Sequence, residues 1–479
     1  MPLGLYLSVP FCKTKCSYCN FASDVFSKSA YENYVLRLLE DIANSRQLIA
    51  QLGYDLASVE DIADSIYLGG GTPSILDASQ LRRIFTALRA QFSLTPDAEI
   101  TVECAPGTLT PALIETLLQC GVNRVSLGVQ SFVDKEAQSV GRLHQRSTVL
   151  EEIDCLRAAG LANINIDLIA GLPHQTAESW AFSLSEAIAA GVPHVSVYML
   201  EVDDDSRLGR ELIAGGSRYH AHFVPDDDAT ADFYQQACEM LEADGIAQYE
   251  ISNFARAATH LPSAQSRHNL KYWTRQPYLG FGVDAHSMLP VSGCYSGSPG
   301  DPINAVRFAT PDSLDAYMNR VPHEVLPVCA EAALEESFFL GLRLNRGIDL
   351  HRLQQEFSFW QGRDGSGENA LDTEGNGAHG NGAQRIDTQR NGAQRIGAEK
   401  NREGHDFSRA INPERNPALA AEGATWDNAI KQCKQDGLLE QQGATLRLTA
   451  RGRLLSNEVF ARFLTGKITN VKTARVKSR

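Results

Sequence analysis

Cys12-Lys-Thr-Lys-Cys16-Ser-Tyr-Cys19 constrains this chain more than any other stretch. Three cysteines fall in one short loop at spacing C-x-x-x-C-x-x-C, directly after the apolar run Leu3–Val9. Disulfides consume thiols in pairs, so a tight odd group points to a metal site. Soft thiolates select zinc, copper(I) or an iron–sulfur cluster. Structural zinc needs four tetrahedral ligands. No fourth Cys or His follows in the loop, where position 21 is Phe. Three thiolates on a four-iron cluster would leave one iron open to chelate the amino and carboxylate groups of a small molecule. The cluster is the leading reading; a zinc site or inert thiols are the alternatives.

The rest of the chain has to house such a loop. Its 479 residues suggest two or three domains, and a hydrophobic fraction of 43% can fill a sizeable core. The net charge of −14 argues against a general nucleic-acid binder, which needs clustered Lys and Arg. The basic tail 466–479 is the exception and reads as a solvated end. No signal-peptide pattern opens the sequence, and no apolar stretch approaches the ~18 residues of a membrane span. The other cysteines (104, 120, 155, 238, 294, 329 and 433) are scattered and read as small core hydrophobes. Free thiols and an oxygen-sensitive cluster place the expectation in a reducing cytoplasm.

Six short apolar runs recur over the first two hundred residues: Leu3–Val9, Ser65–Leu68, Glu99–Val102, Arg124–Val129, Ile164–Ile169 and Val195–Leu200. Helical patterns separate them, at Tyr31–Ile49, Gln80–Gln91, Pro111–Leu118, Val149–Ala159 and Ala177–Ala190. Alternating strands and helices predict an α/β fold with a parallel sheet, here an incomplete (β/α)6 barrel. Barrels of this kind carry their chemistry in loops at the C-terminal strand ends. The run of strand ends agrees. The first leads into the cysteine loop, the second into Gly69-Gly70-Gly71-Thr72 and the third into Glu103. Gln130 follows the fourth, with Arg142 beyond it; Asp167 lies near the end of the fifth and Glu201 closes the sixth. Each has a local explanation, such as a tight turn, a helix cap or a surface pair. Polar groups on successive strand ends, beside three cysteines, point instead to one shared site.

These residues together resemble the coproporphyrinogen oxidase-like branch of the radical S-adenosylmethionine (SAM) family, and within it the HemW-type heme chaperones. The resemblance covers roughly residues 2–360 and 425–465. It implies that Cys12, Cys16 and Cys19 ligate a 4Fe–4S cluster and that Tyr18 is the aromatic between the last two. It places Tyr6 against SAM and gives the SAM amino group to Gly70, Gly71 and Thr72. Glu103, Gln130, Arg142 and Asp167 then match contacts to the methionine carboxylate, the ribose or the sulfonium side. Glu201 and His286 match weaker contacts, the Gly280-Phe-Gly282 turn aiming His286 at the barrel mouth. Three departures from porphyrinogen-decarboxylating relatives or the wider family stand out: Phe21 replaces a fourth cysteine, the stretch before the loop is short, and Ser8 stands where many relatives have His.

Beyond the barrel, residues 205–330 read as a mixed segment closing it. The stretch His268-Asn-Leu-Lys-Tyr272-Trp273 matches the H-N-x-x-Y-W motif of HemW-type chains. Imidazole and phenolate are both axial ligands of heme iron. His268 with Tyr272 therefore forms a candidate heme contact, the alternative being a histidine hydrogen-bonded inside a capping layer. Residues 361–424, rich in Gly and Asn with a repeated Asn-Gly-Ala-Gln-Arg-Ile, predict a disordered insertion. It splits a C-terminal winged-helix-like domain, 331–360 plus 425–465, suited to packing or partner docking. The resemblance implies a cytoplasmic protein that binds heme and passes it to an acceptor protein, which a membrane could carry. The alternative is an oxygen-independent coproporphyrinogen III dehydrogenase.

Overall fold

A computed structural model describes residues 1–54, 59–257, 264–291, 303–357, 360 and 426–464. The expected insertion at 361–424, the basic tail and Cys294 lie outside the described residues.

The chain opens with β1 (Leu3–Val9), buried along its whole length. Helices α1 (Lys28–Ala43) and α2 (Ser45–Gln51) follow. The helical pattern over Tyr31–Ile49 is thus two helices, interrupted at Asn44, whose φ of −96° and ψ of 8° leave the helix. Next come β2 (Ile62–Gly70), α3 (Ala78–Gln91) and β3 (Ser93–Cys104). Asp77 and Gln80 close a capping box at the start of α3, satisfying two donors that helix geometry leaves over. Then follow α4 (Pro111–Gln119), β4 (Arg124–Gln130), α5 (Asp134–Ser139), α6 (Arg146–Ala158) and β5 (Ile164–Ala170). The helix α7 (Ala177–Ala189) and β6 (His194–Met199) complete the series.

The strands β1 to β6 lie side by side and parallel. Side chains alternate across a strand, and here the two faces differ sharply. Leu5, Leu7, Ile66, Leu68, Val102, Leu127, Ile166 and Val195 belong to the main apolar core with the helices. The other face carries Tyr6, Tyr67, Glu103, Ser126, Gly128 and Asp167, all lining one cavity. Register brings these together in neighbouring pairs: Tyr6 beside Tyr67, Glu103 beside Ser126, Gly128 beside Asp167.

The barrel stays open, because β1 and β6 pair outward rather than with each other. After α8 (Arg207–Ala214) and α9 (Asp227–Ala243), β7 (Ile246–Gln248) and β8 (Asn253–Arg256) extend the sheet antiparallel beyond β6. On the other side β9 (Tyr278–Gly282) runs parallel to β1. It is followed outward by β10 (His286–Pro290), β11 (Ile303–Ala309) and β12 (Glu324–Cys329). Between these additions, α10 (Arg267–Trp273) packs against the early parts of β1, β2 and β3. Its first N–H groups, of Arg267 and His268, donate to Glu99 at 3.0 and 3.1 Å. Lys271 reaches the Pro2 carbonyl at 2.9 Å.

A second core joins α10 to helix Ala330–Gly341 and to the C-terminal elements. Those are a helix over Trp426–Gln435, a hairpin of Leu439–Gln442 with Thr445–Leu448, and short helices over Ala450–Leu454 and Ser456–Ala461. Strand Ile348–Asp349 pairs with the hairpin, giving a small three-stranded sheet. Among the scattered cysteines, Cys104, Cys120 and Cys433 are buried as expected, whereas Cys155 is exposed. It occupies the solvent side of α6, whose buried positions are Val149, Glu152, Ile153 and Leu156. Among the described residues no helix is long and apolar enough to cross a membrane.

Candidate functional site

The cysteine loop is tied at its base and on both flanks. Cys12 N–H donates to the Asp24 carbonyl at 3.0 Å, and Asp24 N–H to Pro10 at 3.1 Å. Within the loop, Lys15 spans to the carbonyls of Phe21 and Ser23 at 3.0 and 2.7 Å. One flank docks on the turn after α5, where Ser17 N–H meets the Val140 carbonyl and Thr14 meets that of Gly141. The other flank holds α8, through Leu208 N–H on the Ser17 carbonyl. All three sulfur-bearing residues line a cavity of about 360 Å³. Burial pushes the Cys12 thiol up, and it pushes that of Cys19 up to about 11 with help from nearby Cys16. A metal would therefore displace protons here on binding. Among the described residues no three or more His, Cys, Asp or Glu side chains gather as a single metal ion would require. A multi-iron cluster takes its thiolates on separate irons and makes no such demand.

Opposite the loop stand the polar strand-end groups. Asp167 accepts from Ser126 at 2.9 Å and from Asn165 at 2.7 Å, and burial raises its carboxyl pKa. Glu103 accepts from the Tyr67 hydroxyl at 2.8 Å. Burial, then the neighbouring Asp167, pushes its carboxyl up to about 8. Arg142 approaches the Tyr18 hydroxyl at 3.5 Å. Gln130 sits at a φ of 70°, a region that residues with a Cβ seldom occupy. Gln130 Oε1 and Arg142 Nε are buried on this cavity without a hydrogen-bond partner. Buried polar atoms normally have partners, so both positions suit a polar ligand. Two carboxyls and one guanidinium around one space match a molecule carrying an ammonium, a sulfonium and a carboxylate. The residues present thus fit both a three-thiolate cluster and SAM.

Gly70 and Gly71 line the cavity, yet what forbids a side chain on Gly71 lies on its other side. A Cβ on Gly71 would stand 2.6 Å from the Phe11 carbonyl oxygen and 2.9 Å from that of Val9. Gly71 and Thr72 N–H donate to those same carbonyls at 2.8 and 2.7 Å. The glycine turn is therefore welded to the backbone that launches the cysteine loop. Thr72 adds a hydroxyl 3.7 Å from Cys12 Sγ.

The inner end of the cavity meets α10. His268 is 1% exposed, with Nδ1 3.0 Å from Ser65 Oγ and Nε2 2.8 Å from the Tyr272 hydroxyl. Its ring stacks on Tyr67 with centroids 5.4 Å apart. His268, Tyr272 and Trp273 all line the same cavity as the cysteines. Glu201 is exposed at the rim and lies past the end of β6, which stops at Met199. His286 does not line the cavity. Gly280-Phe-Gly282 is strand rather than turn, and His286 opens the next strand with Nε2 3.8 Å from Asp284. The backbone of His286 fills the space where a Gly280 side chain would stand. The cavity also brings in residues that carry no local signature: Tyr67, Ser126, Tyr198, Tyr234 and Arg343. Tyr67 and Ser126 were discoverable from the alternation with Ser65, Gly69 and Gly128; Arg343 arrives from a distant segment.

Comparison with known proteins agrees with this geometry. The Radical SAM superfamily profile matches residues 6–187. The heme chaperone HemW of Lactococcus lactis is 33% identical over 356 residues, covering 74% of this chain and 85% of that protein. The chain belongs to the HemW family of radical SAM proteins. The HemW heme chaperone of Bacillus subtilis is 31% identical, over 74% of this chain and 86% of its own length. That of Escherichia coli is 34% identical over 60% of this chain and 70% of its own. Among solved structures, the radical SAM enzyme coproporphyrinogen III oxidase (HemN) of Escherichia coli superposes with a TM-score of 0.66 at 21% identity. The overlap covers 96% of this chain and 90% of that one. That likeness shares the α/β fold.

Proposed function

We propose that this protein binds heme and hands it to an acceptor protein, a reading supported by the name heme chaperone that its HemW relatives carry. In this reading Cys12, Cys16 and Cys19 hold a 4Fe–4S cluster and SAM occupies the polar half of the cavity. Arg142 would receive the SAM carboxylate, Glu103 its ammonium, Gln130 Oε1 a ribose hydroxyl and Asp167 the ribose. Tyr6, stacked with Tyr67 at 6.2 Å between centroids, would floor the ligand. When bound, the cluster would supply the electron that a SAM sulfonium held beside it accepts. The chain's own residues hold that sulfonium in place and keep water out.

The observation that carries the proposal is a single cavity reaching from the cysteine loop to His268, Tyr272 and Trp273. A porphyrin at the α10 end would then lie within reach of the cofactor. Residues 1–204 would form the cofactor barrel and 205–330 the segment that completes it. The C-terminal unit, 331–360 with 425–465, would meet the acceptor. The test is anaerobic reconstitution with iron, sulfide and SAM, followed by titration with heme and, separately, incubation with coproporphyrinogen III and a reductant. The expected result is saturable heme binding and no protoporphyrinogen. Formation of protoporphyrinogen would overturn the proposal in favour of the dehydrogenase.

A further inference from the structure

The cavity has an arm that the cofactor residues do not fill. Tyr234, Ile251, Trp273, Leu454, Ser456 and Arg343 line it. Arg343 follows helix Ala330–Gly341, is 4% exposed and is the buried cation of this arm. Its guanidinium carbon lies 4.2 Å from the centroid of Trp273, whose ring covers one face of the group. The donors left to the cavity are therefore those on its edge.

Those donors are under-used. A guanidinium offers five N–H groups in a fixed fork. Among the described residues Arg343 gives a single side-chain hydrogen bond, from Nη2 to Glu250 at a stretched 3.3 Å, and its Nε is buried with no partner. Glu250, fully buried, is better served, because the Ser252 N–H at 3.0 Å and the Asn253 amide also donate to it. Pairing with Glu250 thus satisfies the carboxylate and leaves the guanidinium short. A buried polar atom left without a partner costs free energy, so the arm is built for an acceptor that is absent from the chain itself.

We infer that Arg343 is the anchor for a carboxylate on an otherwise flat, apolar ligand, the propionate of the heme proposed above. This inference rests on the heme-binding reading. The guanidinium edge would take the carboxylate side-on through Nε and a neighbouring Nη, a bidentate geometry that arginine supplies and lysine does not. Trp273 keeps the planar fork aimed, and the apolar wall meets the macrocycle. The site chooses among porphyrins by their acidic side chains.

Absorption titration with heme and with its dimethyl ester, which lacks the carboxylates, tests this. Wild-type protein should prefer heme by about tenfold or more, as a charge-assisted hydrogen-bond pair implies. Arg343→Lys should erase that preference by weakening heme binding while leaving ester binding as it was. The double variant Arg343→Met with Glu250→Gln removes both charges together, so it avoids burying an unpaired carboxylate, and should do the same. If wild type binds heme and ester equally, the anchor is refuted and the heme reading stands. Parallel weakening of both ligands in the variants would also refute it. If wild type binds neither ligand, both readings fall together. Should the variants fail to fold, the wild-type comparison decides alone.

Discussion

Tyr272→Phe is the sharpest probe of the heme end, because the structure predicts opposite effects on stability and on binding. His268 Nδ1 faces Ser65 Oγ and Nε2 faces the Tyr272 hydroxyl, at 3.0 and 2.8 Å. Either tautomer can use both contacts; the phenol is the stronger donor of the two hydroxyls, which favours the proton on Nδ1 and a lone pair on Nε2. That is the tautomer that Nε2 needs to ligate iron. In the wild type, ligation must first break the Tyr272 bond to Nε2, and losing a buried hydrogen bond costs about 1–3 kcal/mol. Removing the hydroxyl shifts that cost to the heme-free protein, where Nε2 loses its donor. Heme should therefore bind Tyr272→Phe more tightly, by about fivefold at 1 kcal/mol and more than a hundredfold at 3 kcal/mol.

The assay is a Soret titration of anaerobically prepared protein, with a thermal melt of the heme-free form beside it. The expected pattern is tighter heme, a lower melting temperature and an unchanged Soret position. His268→Ala should abolish the heme-bound Soret feature while SAM binding holds. Unchanged heme affinity in Tyr272→Phe, together with a normal Soret band in His268→Ala, would falsify ligation by His268. The histidine would then be a structural post joining α10 to β2.

Three further outcomes follow from the site. Cys16→Ala should lose the broad absorption of the reconstituted cluster, whereas Cys104→Ala, at a buried position that also lines the cavity, should keep it; full iron content in Cys16→Ala sinks the assignment. Gly71→Val should lower cluster content and SAM binding together, since its Cβ would meet Val9 and Phe11 backbone within 3 Å; loss of SAM binding with intact cluster would show that the clash is absorbed without moving the cysteine loop. Glu103, with its carboxyl pushed up to about 8 from an ordinary 4.5, keeps a proton when folded that the unfolded chain releases. Its contribution to stability is therefore full at low pH and lost as pH rises through 8. Glu103→Gln should flatten the fall in melting temperature between pH 5 and 8, and an unaltered slope would refute the shift.

Much of this was legible in the sequence, and what was missed has common causes. The first strand ends where its apolar run ends because both of its neighbours bury it. The second and third strands run longer than their apolar centres, to Ile62–Gly70 and Ser93–Cys104, because backbone pairing continues where side chains turn polar. The cysteine loop and the strand-end acids were readable since each has a local pattern. His286 was misplaced because glycines flanking Phe281 serve strand crossing as readily as a turn: the would-be side chain of Gly282 meets Tyr34 and the Ser8 carbonyl.

Glycine also shows where local reading stops. The turn at Gly70 and Gly71 was assigned to ligand approach, which fits the cavity they line. The steric need at Gly71 comes from the opposite direction, the backbone of Val9 and Phe11, and Gly70 adopts a φ of 102°. A sequence reports that a side chain is forbidden, but not which neighbour forbids it. The distinction matters mechanically. Asp167 reaches the cavity from a strand interior, held by Ser126 and Asn165, and is separate from the cysteine loop. Gly71 belongs to the ligand wall and to the loop's foundation at once. The same cavity therefore contains one group whose loss perturbs the ligand alone and another whose loss must perturb ligand and cluster together.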